Sequence, residues 1–152
     1  MQKMKNDDFF MEIALQEAHK ALSEGEVPVG AVLVSEQKVV VSTRNRKEAD
    51  HDPTAHAELM AIRKGTALRG DWRLESATLY VTKEPCIMCA GAMLNARLGR
   101  LVFGCSDTRF GAVNSRYQLL HDPGLNHRVR VKAGVLEEKC SAILREFFNL
   151  RR

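Results

Sequence analysis

Two short clusters carry the chemistry open to this chain: His56-Ala57-Glu58 and Pro85-Cys86-Ile87-Met88-Cys89. Imidazole and thiolate are the donors that suit Zn²⁺, and a carboxylate two residues beyond the histidine can move protons. The first cluster alone is a weak signal. With 5 histidines and 12 glutamates in the chain, about 0.4 His-x-Glu triplets arise by chance. The second is much rarer, since four cysteines give about 0.08 Cys-x-x-Cys pairs by chance even before the leading proline is counted.

Cys86 and Cys89, three residues apart, share a face of a helix, and in its first turn both thiolates gain from the helix dipole. Two thiolates and one neutral imidazole leave a tetrahedral zinc with its fourth position open, as in catalytic sites. Two thiolate charges balance those of Zn²⁺, and such a centre activates water near neutral pH. Glu58 has the chemistry to carry that water's proton to a leaving group. One feature resists this scheme: residues 56 and 58 point about 200° apart on a regular helix. A site at the helix start, with the long Glu58 side chain folded over the metal, would reconcile the two, though the spacing itself does not show it.

The elements that must hold these residues follow from periodicity and punctuation. Asp7 or Asp8 is expected to cap a first helix with Phe10, Ile13, Ala14, Ala18, Ala21 and Leu22 on its apolar face, ended by Gly25. Val29–Val34 and Lys38–Ser42 read as a hairpin broken at Glu36-Gln37. A polar loop over 43–53 leads to a second helix from Ala55 to about Lys64, with Thr54 as cap and Gly65 as stop. Strand Thr78–Thr82, a helix from Cys86 to about Ala96 with Pro85 in its first turn, and strand Leu101–Gly104 come next. Residues 106–127 form a connection long enough to be functional. A strand near Val129–Ala133 and a helix carrying Leu136, Cys140, Ile143, Leu144, Phe147 and Phe148 finish the chain. Helices interleaved with strands predict one α/β domain with helices on both faces of a sheet.

Composition bounds the rest. A chain of 152 residues, 45% apolar and 28% charged, has the size and balance of one globular domain, which argues against disorder. No apolar run is long enough to span a membrane. The first eight residues meet acid at Asp7-Asp8 instead of an apolar signal segment, so a soluble protein that stays in the cytoplasm is expected. The +4 net charge permits a polyanionic partner without proving one, because the basic residues are scattered. Four cysteines in such a chain point to metal or catalysis before disulfides.

Longer stretches surround the two clusters: Glu26-Val27-Pro28-Val29-Gly30-Ala31-Val32, Asn45-Arg46, His51-Asp52-Pro53-Thr54-Ala55-His56-Ala57-Glu58, Glu84-Pro85-Cys86-Ile87-Met88-Cys89-Ala90-Gly91-Ala92-Met93 and Asn126-His127-Arg128-Val129. With the zinc deaminase signature they contain, they resemble the bacterial tRNA-specific adenosine deaminases, from about Asp8 to Arg152. The resemblance implies a cytidine deaminase-like fold: α/β, three-layer αβα, with a five-stranded mixed sheet. It implies a single zinc-dependent domain over residues 1–152, working as a homodimer with one Zn²⁺ per subunit and no organic cofactor or membrane partner. His56, Cys86 and Cys89 would be the ligands and Glu58 the proton shuttle. The substrate would be a tRNA anticodon stem-loop, its wobble adenosine hydrolysed to inosine with release of ammonia. Asn45 matches a polar contact to the flipped purine, and Asp107 one to the neighbouring nucleotide. Phe148, Arg151 and Arg152 match a terminal helix lying along the anticodon loop. One departure stands out: Gly111-Ala112-Val113-Asn114-Ser115, where the family usually reads Gly-Ala-x-Gly-Ser. Asn tolerates positive φ, which would keep a turn there.

The residues alone leave other readings open. A structural zinc site could borrow Cys105 or Cys140, although both read better as core thiols. A free-base deaminase acting on guanine or cytosine would use the same zinc and glutamate. A zinc-stabilised RNA-binding module would use the zinc alone. His51, His121 and His127 are expected as loop or capping residues, Trp72 and the Phe9-Phe10 pair as core. Of Phe147 and Phe148, one is expected in the core and the other free to stack.

Overall fold

The computed structural model describes residues 4–151. Helix α1, Asp7–Ser23, is capped by Asn6, whose side chain accepts from the Phe9 amide at 2.9 Å. The sequence pointed to Asp7 or Asp8, but Asn6 has the extended backbone that a cap requires. Asp7 is thereby freed for other work. Its carboxylate takes a bidentate pair from Arg100 at 2.8 and 2.9 Å, the Tyr80 hydroxyl at 2.7 Å and Lys132 at 3.0 Å. One acid thus joins the helix start to three strands.

Strands β1 (Gly30–Ser35), β2 (Lys38–Arg44), β3 (Ala77–Lys83), β4 (Arg100–Cys105) and β5 (Arg130–Lys132) form one sheet in the order β2-β1-β3-β4-β5. β1 runs antiparallel to β2 and β3, whereas β3, β4 and β5 are parallel. The five-stranded mixed sheet is the expected one. The hairpin turns at Glu36 and Gln37, both left-handed, as a two-residue turn matching strand twist requires.

Alternation along each strand divides the core. Val32, Val34, Tyr80 and Val102 face α1 and the last helix, α4 (Glu137–Leu150). Ala31, Leu33, Leu79, Val81, Leu101 and Phe103 face α2 (Ala57–Arg69) and α3 (Ile87–Asn95). That is the three-layer αβα arrangement. Phe10, fully buried against Tyr80 with ring centroids 5.2 Å apart, contributes about 2–3 kcal/mol of burial on its own.

Helix α2 departs from expectation at both ends. His56 is its N-cap and Gly70, at φ 72°, its C-cap. Thr54 is instead tied to Asp52, which accepts from both its amide and its hydroxyl. Gly65 does not stop the helix; it lets the helix lie on β1, where an added Cβ would collide with Leu33. Two aromatic expectations also fail. Phe9 turns out to solvent beside buried Phe10. Trp72 is 52% exposed in the loop after α2, its ring covered by Arg73 at 4.6 Å and Arg97 at 6.0 Å, so cations take the place of a core. Cys105 and Cys140 are buried core thiols, and burial pushes them up to about 11 and about 12.

β4 and β5 are joined not by a helix but by an irregular segment containing one 3₁₀ turn, Leu119–His121. His127 lies there as a loop residue, its Nε2 2.7 Å from the Leu98 carbonyl. No helix among the described residues is long and apolar enough to cross a membrane.

The Asp7 cluster carries a testable consequence. Hydrogen bonds from Arg100, then Tyr80 and Lys132, hold its carboxyl far below the usual carboxylate range against the cost of burial. Asp7→Asn should lower stability at pH 7 by about 2 kcal/mol. A folded carboxyl that titrates below its unfolded value stabilises fully above the ordinary pKa of about 4 and loses that contribution as pH falls further. Urea midpoints of wild type and Asp7→Asn should therefore be well separated at pH 7 and draw together in acid.

Candidate active site

The two clusters meet because two helices begin at the same place. His56 is the N-cap of α2 (φ −80°, ψ 145°) and Cys86 the N-cap of α3 (φ −79°, ψ 178°), both extended. His56 therefore lies outside the helical register, and the 200° separation from Glu58 does not apply. Cys86 also precedes its helix, so the cysteine pair stands at the cap and third helical positions. The start of α3 falls at the C-terminal edge of the parallel strands, where open α/β sheets place their ligands.

The Sγ atoms of Cys86 and Cys89 each lie 3.6 Å from His56 Nδ1, and the three donor atoms sit within 4.8 Å of one another. Zn–S bonds of about 2.3 Å and a Zn–N bond of about 2.0 Å at tetrahedral angles require S···N separations of about 3.5 Å. The residues fit that metal. The Cys89 thiol, then the His56 ring, hold the Cys86 thiol down at about 4 against the cost of burial. Cys89 is pushed well above the thiol range by its bond to Cys86 and by burial. The bond to Cys86 raises His56. Metal binding requires both sulfurs as thiolates, so a metal must displace thiol protons to bind here.

Glu58, in the first turn of α2, is 4% exposed and lines the same cavity. Burial pushes its carboxyl up, while its own backbone N–H and His56 pull it back. A buried carboxyl facing the donor set has the chemistry to take and give a proton.

Around the donors lies an open cavity of about 390 Å³. Its walls include His56, Glu58 and Cys86, with Asn45, Asp107 and Phe148 from the expected substrate contacts. Asn45 Oδ1 accepts from the Ala57 amide at 2.8 Å and its Nδ2 donates to the Val27 carbonyl at 3.2 Å. One amide hydrogen and one lone pair remain for a ligand. Asp107 is paired with Lys83 at 3.0 Å and accepts from the Arg109 and Phe110 amides. Lys83 and these amides keep its carboxyl low despite burial. Phe148 is 52% exposed, while Phe147 is buried beside it. Arg151 covers the Phe147 ring at 4.3 Å and donates to the Gly25 carbonyl at 2.8 Å. It borders an adjoining hollow of about 260 Å³ that Phe148 shares. Arg152 lies outside the described residues.

Several residues that shape the site carry no mark in the sequence. Lys47, Lys83 and Phe110 line the cavity. Glu26 and Glu84 are each 2% exposed and work behind it. Glu26 accepts the Glu48 and Ala49 amides at 3.0 and 2.8 Å, which fixes the loop between β2 and α2. Glu84 accepts from the Asp107, Val113, Asn114 and Ser115 amides and the Ser115 hydroxyl. Burial alone would raise the Glu84 carboxyl; the Ser115 hydroxyl and these amides bring it below its ordinary value. Each stands inside a stretch that carries the family resemblance, yet a glutamate has no spacing signal that separates an acceptor of amides from a solvated acid. Asn114 departs from expectation. The left-handed non-glycine residues of the described chain are Glu36, Gln37, His51, Arg97 and Leu136. Asn114 is not among them, so the segment turns because its amides converge on Glu84. Several basic residues are likewise committed within the chain: Arg44 to Glu17 and Glu24, Arg46 to Asp50, Arg100 and Lys132 to Asp7.

Residues 4–105 match the family described as the cytidine and deoxycytidylate deaminase zinc-binding region. A tRNA-specific adenosine deaminase of Haemophilus influenzae is 48% identical over 147 residues, covering 96% of this chain and 85% of that protein. One from Bacillus subtilis is 43% identical over 146 residues, covering 96% and 91%. A solved structure from work on A-to-I editing by tRNA:A34 deaminases at the wobble position of transfer RNA superposes with a TM-score of 0.85 at 43% identity, over 88% of this chain and 97% of that one. A guanine deaminase from Nitrosomonas europaea, 21% identical, shares the fold with a TM-score of 0.81 over 96% and 86% of the two chains. At such identity over nearly its whole length, around a buried glutamate and a His–Cys–Cys donor set, the chain belongs to the tRNA-specific adenosine deaminase family.

Proposed function

We propose that this chain is a single deaminase domain that hydrolyses adenosine to inosine at the wobble position of tRNA, releasing ammonia. The observation that carries this is the cavity lined by buried Glu58 together with His56 and Cys86, with the buried Cys89 thiol completing the donor set behind them. His56, Cys86 and Cys89 would hold one Zn²⁺ per chain. When bound, Zn²⁺ supplies Lewis acidity that makes water nucleophilic near neutral pH.

The chain's own residues account for the remaining steps. An adenosine in an anticodon loop is extruded at low unstacking cost and enters the cavity. Asn45 meets the purine with its spare amide hydrogen and lone pair, and Phe148 offers its exposed ring for stacking. Asp107 contacts the neighbouring nucleotide, and Arg151 at the end of α4, with Arg152 next to it in the sequence, supplies positive charge for the anticodon loop. Water oxygen bonds to C6 as Glu58 takes its proton. Glu58 returns that proton to the amine, the C6–N bond breaks, and ammonia leaves. A cytoplasmic homodimer belongs to the same reading.

The deciding experiment offers zinc-loaded protein an anticodon stem-loop with wobble adenosine, beside free guanine, cytosine, cytidine and adenosine. Inosine at the wobble position alone is expected. Turnover of a free base with a silent stem-loop would replace the tRNA assignment with a free-base deaminase. Glu58→Ala should abolish turnover while leaving bound zinc at the wild-type level by metal analysis, because Glu58 is not a ligand. Cys86→Ser should lose metal and lower the thermal midpoint together, because it removes a donor from a partly buried site.

A further inference from the structure

Glu84 stands between β3 and the metal-donor Cys86, and its amide donates to the Cys105 carbonyl of β4 at 2.8 Å. Its two carboxylate oxygens divide their work. Oε2 accepts the Val113, Asn114 and Ser115 amides at 3.1, 2.8 and 2.9 Å. Oε1 accepts the Asp107 amide at 3.1 Å and the Ser115 hydroxyl. Gly111 lies flat against the same group; an added Cβ would overlap the Glu84 carboxyl carbon and Oε1. The segment so gathered belongs to neither helix nor strand, yet it presents Asp107 and Phe110 to the cavity. An irregular part of the cavity wall thus converges on one buried side chain.

We propose that Glu84 is a positioning residue that sets where Asp107 and Phe110 stand on the cavity wall, and thereby how tightly the RNA is held. This rests on the reading of that wall as an RNA contact. Glu84 acts through the backbone of residues 107–115 and touches neither base nor metal. The division of labour makes the effect of glutamine specific. Three amide donors meet Oε2, so the amide oxygen of Glu84→Gln must take that side. Its NH₂ group then confronts the Asp107 N–H, whereas the Ser115 hydroxyl can rotate to accept from it. Glu84→Gln should therefore release Asp107 and leave the 113–115 turn bound.

The test is a double-mutant cycle on the zinc-loaded full chain with the anticodon stem-loop: wild type, Glu84→Gln, Asp107→Ala and both together. Zinc content should match wild type and kcat should stay within about twofold, while KM rises about tenfold in each single variant. The double variant should be no worse than Asp107→Ala alone, since both changes remove one interaction. Additive losses, a fall in kcat at unchanged KM, or loss of zinc would overturn the proposal. Should Glu84→Gln fail to fold, Ser115→Ala removes only the hydroxyl on Oε1, and its coupling to Asp107→Ala decides between the same two outcomes at smaller amplitude. A wild type silent on the stem-loop would count against the proposed function alone. Hydrogen exchange of the Asp107 amide, faster in Glu84→Gln or unchanged, would then still decide the positioning role.

Discussion

Everything at the active site depends on two helices starting within reach of each other. A cap residue has extended backbone, so its side chain leaves the helix at the end and not along a face. His56 and Cys86 use that freedom, and the helical residues Glu58 and Cys89 follow within one turn. The sheet enforces the meeting. β3 and β4 are parallel, which requires a crossover whose helix, α3, begins at their C-terminal edge. α2 descends from the same edge beside β1, seated by Gly65 on Leu33. Both helices then bring their positive N-terminal ends to the donor set, which favours thiolate over thiol and neutral imidazole over imidazolium there.

Loops complete what the helices begin, and each is held by a buried carboxylate. Burying an acid costs several kcal/mol unless donors replace its water. Glu26 and Glu84 meet that requirement with backbone amides that belong to no helix or strand ladder. The exchange works in both directions, since unpaired amides in a packed loop would themselves be costly. Asn45 repeats the device with a neutral side chain, capping the first amide of α2 and bracing the Val27 carbonyl while facing the cavity.

The donor set and the order of elements were legible because they rest on residue types with narrow uses: cysteine pairs, a leading proline, periodic apolar positions. Ends were less legible. Asn6 in place of Asp7, His56 in place of Thr54 and Gly70 in place of Gly65 are choices among residues of similar capping or turning ability. Tertiary contacts decided each one: Asp7 is drawn to Arg100, Thr54 to Asp52, and Gly65 to Leu33. Trp72 was illegible for another reason, because two arginines cover its ring where the core would otherwise have to. Glu84 was the least legible of all, because the amides it gathers lie as far along the chain as Ser115 and leave no local pattern around it.

The crossover from β4 to β5 spends more than twenty residues with one 3₁₀ turn as its regular structure. Its inner edge is moored to a carboxylate, and its outward side chains, Arg109, Phe110, Arg116 and Tyr117, border open space. Packing and that rim therefore belong to different parts of the chain, and substitutions there would reshape the surface beside the cavity while the layers beneath keep their structure.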